Sequence, residues 1–298
     1  MSRRWRRILP GSRRRGWGSD DGELVGPATP GATVLGVTGP PGAPGRTFIA
    51  LNLAAVLSGR GATVLVDADP VLGTVGIQLD LDPERSLWFL AHEALLQPLD
   101  SGLLERHLQR RGALDILSGL DDAGEPGACT PELVAAVIAS LRTSHQWVIV
   151  DIGALLSPFT SAVARCCDGL LWTVVANRVG SVAFDRTVRG RAAAAVAAGP
   201  WEGIVCNRYD RTTLAHAVAD LEASYSLPVL GRIPTETSAL RGAAAVHRPG
   251  ISPGRMRRAF IALADRIGPR VVSPDAWSDV AWEGAVTPPP SGVAAPWS

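Results

Sequence analysis

The stretch of this sequence best supplied with chemistry is Val37-Thr38-Gly39-Pro40-Pro41-Gly42-Ala43-Pro44-Gly45-Arg46-Thr47. It leads from a short apolar run into a helical pattern. Gly42, Gly45, Arg46 and Thr47 give it permissive backbone, a cation and a hydroxyl. A chain can cradle an anion at such a place on main-chain N–H groups and a helix N-terminus. The same composition suits a Pro/Gly-rich turn that binds nothing. Other polar residues close apolar runs: Asp67 and Asp69 follow Thr63–Val66, Asp151 follows Trp147–Val150, Asn207-Arg208 follows Ile204–Cys206, and Pro234 follows Val229–Ile233. Asp-Ala-Asp-Pro is good turn chemistry in its own right, a strand-end aspartate is commonly a helix cap, and Asn-Arg is often just a loop. His92, His107, His145, His216 and His247 fall on different elements without metal spacing, and no nucleophile, base and orienter set or GxSxG elbow is present.

The elements that must position these residues read as alternating strands and helices. Thr33–Thr38, Thr63–Asp67, Leu114–Leu117, Trp147–Asp151, Leu170–Ala176, Ile204–Asn207 and Val229–Ile233 are strand-like, several of them apolar throughout. Helical patterns follow at Phe48–Ser58, Pro131–Thr143, Val182–Ala198 and Thr212–Tyr225. Thr130-Pro131-Glu132 supplies a cap, a first-turn proline and an early acid, and Gly59 and Gly61 close the first long helix. Continuous apolar strands each followed by a helix predict an α/β, doubly wound, mostly parallel sheet with helices on both faces, built as a single domain. Ligands of such sheets sit beyond the carboxyl ends of the strands, where the polar residues above are gathered.

The chain has 298 residues, 46% of them hydrophobic, enough for one large core. Residues 1–31 read as a disordered Arg-rich arm, 32–270 as the folded domain and 271–298 as a disordered Pro-rich tail. No run approaches the roughly 20 apolar residues of a membrane span, and the arm lacks a signal-peptide core, which predicts a soluble cytoplasmic protein. Cys129, Cys166, Cys167 and Cys206 show no paired CxxC spacing, which predicts reduced thiols. Charge is nearly balanced, with 29 basic and 28 acidic residues. The arm holds seven of the arginines, from Arg3 to Arg15, so the remainder is slightly acidic and poorly suited to nucleic acid. Trp5 and Trp17 among those arginines suit an anionic lipid surface, each basic residue adding roughly 1 kcal/mol, although a solvated leader has the same composition. Every cationic side chain other than histidine is arginine; the sequence contains no lysine.

Several motifs in order resemble the MinD/ParA superfamily of P-loop ATPases. They are the glycine-rich turn set against GKGGxGKT, the helix Phe48–Ala54 followed by Val66-Asp67-Ala68-Asp69-Pro70, the Walker B-like Val148–Asp151, Asn207-Arg208, and Leu230-Gly231-Arg232-Ile233-Pro234. The likeness spans roughly residues 32 to 268 and is nearest to CpaE/TadZ-type and actinobacterial septum-site-determining proteins. Relatives of that type carry a receiver-like domain ahead of the ATPase domain, for which the arm is too short. By resemblance, ATP and Mg²⁺ are the cofactors, and Gly42, Gly45, Arg46, Thr47, Phe48, Asn207, Arg208 and Pro234 bind nucleotide. Thr47 and Asp151 hold the metal, and Asp67 orients the attacking water.

The loop departs from the family pattern. Arg46 stands at the loop lysine and Pro41 at the lysine that crosses the family's dimer interface. Arginine keeps the charge but not the compact geometry, and proline replaces the other lysine with nothing. Pro40, Pro41 and Pro44 lack N–H donors, each worth roughly 1.5–3 kcal/mol where it would meet a charged phosphate. The expectation is a localisation or regulatory factor for pilus, secretion or septum machinery with weak or absent hydrolysis. It would act through protein partners, with a homodimer and anionic-membrane contact by the arm as further options and specific DNA binding disfavoured. The alternative is an active ATPase in which Arg46 replaces lysine and ATP drives a dimer that binds membrane or nucleoid DNA. Arg255–Arg266 reads as a final packing helix, with a membrane-surface helix as the alternative.

Overall fold

The computed structural model describes residues 32–42, 44–71, 73–119, 128–154, 157–175, 177–193, 201–209, 225, 227–235 and 254–267. The arm 1–31, the tail 271–298 and the helix expected at 212–225, apart from Tyr225, lie outside these residues. The strands are β1 (Thr33–Gly39), β2 (Thr63–Asp67), β3 (Gln109–Arg111), β4 (Leu114–Leu117), β5 (Trp147–Ala154), β6 (Gly169–Val175), β7 (Trp201–Tyr209) and β8 (Val229–Pro234). They form one 8-stranded sheet in the order β3-β4-β2-β5-β1-β6-β7-β8. Every pairing is parallel except β3 with β4. This is the doubly wound, mostly parallel α/β sheet that the apolar runs predict.

The helices are α1 (Arg46–Ser58), α2 (Val75–Leu79), α3 (Leu87–Ala94), α4 (Ser101–His107), α5 (Pro131–Leu141), α6 (Pro158–Arg165), α7 (Arg178–Ala193) and α8 (Arg255–Ile267). Alternation along each strand divides the core. Leu35, Val37 and Ile149 face α1 and α8, while Val34, Val148 and Val150 face the layer built from α3 to α7. Burial of both faces explains why the strands carry so few polar residues before their carboxyl ends. α8 buries Met256, Phe260, Leu263, Ala264 and Ile267, so the Arg255–Arg266 segment is the packing helix.

Local signals account for the helix boundaries. The Thr130 hydroxyl accepts from Leu133 N at the start of α5, with Pro131 in the first turn. Gly59 follows α1 as expected, but with φ −76, so α1 ends without a left-handed residue. α7 begins at Arg178, four residues before the expected start at Val182. The four cysteines are free thiols; Cys166 follows α6 as its C-cap, and Cys129, Cys167 and Cys206 are buried. His145 contacts Asp115 at 3.2 Å. Burial alone would raise Asp115, yet its hydrogen bonds to His145 and Arg110 bring it down to about 2. This group stands at the amino-terminal edge of the sheet, in a packing role and away from the strand ends that gather the candidate site. Among the described residues no helix is long and apolar enough to cross a membrane.

Candidate functional site

Parallel pairing brings the carboxyl ends of β1, β2, β5 and β7 to one edge of the sheet. Asp67 ends β2 in direct register with Asp151 on β5, so two carboxylates stand side by side on neighbouring strands. Both are buried, Asp67 at 1% and Asp151 at 0% exposure. Asp67 accepts from Val75 N at 3.0 Å and from Asp69 N at 3.3 Å. Those bonds do not offset its surroundings: burial first, then the charge of Asp151, hold Asp67 well above the ordinary carboxylate range. Burial likewise pushes Asp151 up to about 6, against the opposing hydrogen bond from Thr47 and the charge of Arg46. Asp151 Oδ1 accepts from Gly153 N at 3.4 Å, whereas Oδ2 is buried without a hydrogen-bond partner.

Asp69, part of the same Asp-Ala-Asp-Pro motif as Asp67, belongs to the same cluster. A Cβ on Gly153 would lie 2.5 Å from Asp69 Oδ2, and Gly153 has φ 75, so glycine is needed there both for its conformation and for the approach of the carboxylate. The cation among these acids is Arg46, which opens α1. Its Nη1 donates to Pro40 O at 2.8 Å, and its Nη2 lies 3.8 Å from Asp69 Oδ2, both side chains being 16% exposed.

The loop itself bends through Gly42, exposed with φ 97, and Gly45, with φ 90. No side chain caps α1, which leaves its first turn open toward the site. Asn207, at the end of β7, reaches the loop and donates from Nδ2 to Pro44 O at 2.7 Å; a side chain on Gly45 would run into that amide. Neither this contact nor the Arg46 bond to Pro40 O was foreseen, because each depends on tertiary approach.

The sequence-derived site residues therefore divide. Arg46, Thr47, Asp67, Asp151 and Asn207 converge around the loop with Gly42 and Gly45. Phe48 turns away, packing edge-to-face on Phe260 of α8 at 5.8 Å. Arg208 is exposed near the end of β7 with φ 54, and Pro234 ends β8 opposite Tyr209.

The donor set fits one of the two implied ligands better than the other. An orphaned buried carboxylate oxygen beside a threonine hydroxyl suits hydrated Mg²⁺, which is usually held by one or two side chains together with phosphate oxygens. Among the described residues no group of three or more His, Cys, Asp or Glu side chains converges on a metal position, so the protein alone supplies an incomplete shell. A polyphosphate meets three acids, one arginine already engaged, and a loop with proline at three positions.

A mostly parallel sheet whose first strand enters a glycine-rich loop and a buried helix, with paired aspartates on the two strands to one side of it, β5 and β2, has the fold of the MinD/ParA-type P-loop ATPases. Solved structures share it. The cell division ATPase MinD of Pyrococcus furiosus matches 79% of this chain and 98% of its own at 22% identity, with a TM-score of 0.64. The septum site-determining protein MinD of Pyrococcus horikoshii OT3, complexed with Mg-ADP, matches 78% and 95% at 19% identity and 0.63. A ParA family ATPase of Chlorobium tepidum TLS matches 78% and 98% at 18% identity and 0.66. No protein-family model and no curated protein matches the chain.

Proposed function

We propose that this chain is a localisation or regulatory factor on a MinD/ParA-type scaffold, of the CpaE/TadZ kind, in which ATP hydrolysis is weak or absent. It docks components of pilus, secretion or division machinery through its protein surface. The observation that carries this reading is the loop: proline at positions 40, 41 and 44 and no lysine anywhere in the chain. Three backbone donors are gone from the turn that would grip phosphate, and nothing replaces the lysine that relatives extend across a dimer. Without that lysine, nucleotide no longer reports to a second subunit, and partner binding proceeds without it.

Thr47 and Asp151 would hold Mg²⁺ if a nucleotide entered, and the metal would supply charge neutralisation for the phosphates. Asp67, buried beside Asp151, would orient a water. These retained groups favour one second reading, an ATPase that uses Arg46 and dimerises with ATP. Support for either comes from the three solved relatives, two of them MinD proteins of cell division and septum placement and the third a ParA family ATPase.

Sedimentation velocity of the full chain with Mg²⁺ and a non-hydrolysable ATP analogue separates the two readings. The first predicts one sedimentation coefficient with and without the analogue. A dimer that appears only with the analogue overturns it in favour of the second.

A further inference from the structure

We propose that Arg46 and Asn207 close the phosphate loop on itself, as an internal latch that a nucleoside triphosphate must break to enter. The inference rests on the reading of this loop as a former nucleotide site. It adds that the two side chains best placed to hold a nucleotide are occupied by the protein.

The loop is pinned on both sides. Arg46 Nη1 donates to the Pro40 carbonyl at 2.8 Å, and Asn207 Nδ2 donates to the Pro44 carbonyl at 2.7 Å. One tie comes from the first residue of α1. The other comes from β7, 163 positions along the chain. Asp69, just past β2, holds the far side of the guanidinium at 3.8 Å and rests on Gly153 of β5, so the latch ties the loop to the carboxyl-end sides of β2, β5 and β7. A planar fork spans two acceptors at once, which a compact ammonium does not do.

The interior of the turn is filled as well. A Cβ on Gly39 would lie 3.2 Å from Pro44 Cγ and 3.5 Å from Arg46 Cγ, so ring and stem pack over the last residue of β1. Pro44 and Asn207 are both buried. Phosphate entry would require the guanidinium to leave Pro40, while the bond between Asn207 and Pro44 keeps the loop in its present path.

The test is a fluorescence anisotropy titration of the full chain with Mg²⁺ and N-methylanthraniloyl-ATP, on wild type, Asp69→Asn and Arg46→Lys. Circular dichroism checks that each variant folds. The latch predicts that both variants bind the analogue at least tenfold more tightly than wild type. Tightening in Asp69→Asn alone marks simple charge repulsion and overturns the latch, as do unchanged or weaker affinity in Arg46→Lys and absence of binding in all three proteins. Should Asp69→Asn fail to fold, Arg46→Lys decides. Equal affinities would leave a nucleotide-independent function standing, whereas steady turnover by wild type would remove that function without touching the comparison between variants.

Discussion

Two buried aspartates, side by side on β2 and β5, govern the behaviour of the site at the residue scale. Burial raises both, and a carboxyl whose folded pKa lies above its unfolded value takes up a proton on folding. For Asp151, stability from this source is present at low pH and is lost as pH rises from about 4 through about 6. Asp151→Asn is therefore expected to raise the stability of the ligand-free chain at pH 7.5 by roughly 1–3 kcal/mol, because it removes an incompletely compensated buried charge. It should also flatten the dependence of Tm on pH between about 4 and 6. Thermal unfolding across that range and at pH 7.5 checks both, and an unchanged slope would mean that Asp151 is fully balanced in the fold. Sequence alone made Asp67 and Asp151 legible, since each ends an apolar strand. The engagement of Arg46 with Pro40 and of Asn207 with Pro44 was not, because side-chain direction depends on elements far apart in the chain.

Elements were legible wherever hydrophobicity set them and obscure where pairing or capping did. β2 and β4 match their apolar runs residue for residue. β3 is Gln109-Arg110-Arg111, a polar triplet that is a strand only because β4 pairs with it. The helix read around Cys166-Cys167 is α6, which lies upstream and ends at the Cys166 cap; its start is set by a reciprocal capping box of Ser157 and Thr160 around Pro158, and α3 and α4 begin at Ser86 and Asp100 caps that the run of short helices concealed. Thr130→Ala should remove the hydrogen bond to Leu133 N and cost about 1 kcal/mol in denaturant unfolding. Phe260→Ala should cost about 3–5 kcal/mol, since its ring is 2% exposed and packs on Phe48 at the root of the loop helix. A loss under about 1 kcal/mol would mean that α8 is not integral to the core.

Taken whole, the molecule has the fold of the MinD/ParA-type ATPases, and the proposed function implies a weakened grip on phosphate. A ligand at 1,000 times its dissociation constant stabilises a protein by about 4 kcal/mol, whereas one present at its dissociation constant adds only about 0.4 kcal/mol. A millimolar affinity therefore predicts that 1 mM Mg–ATP raises Tm by no more than about 2 °C, where a micromolar site would give roughly 8–16 °C. The slightly acidic body further predicts no salt-sensitive retention of duplex DNA by residues 32–267 beyond a neutral control protein.

Phosphate release from Mg–ATP by the full chain decides whether this loop still supports turnover, with Asp67→Ala and Thr47→Ala as matched controls. The prediction is a rate for wild type indistinguishable from both variants. Sustained release by wild type that either substitution abolishes would contradict it and restore this chain to the working ATPases.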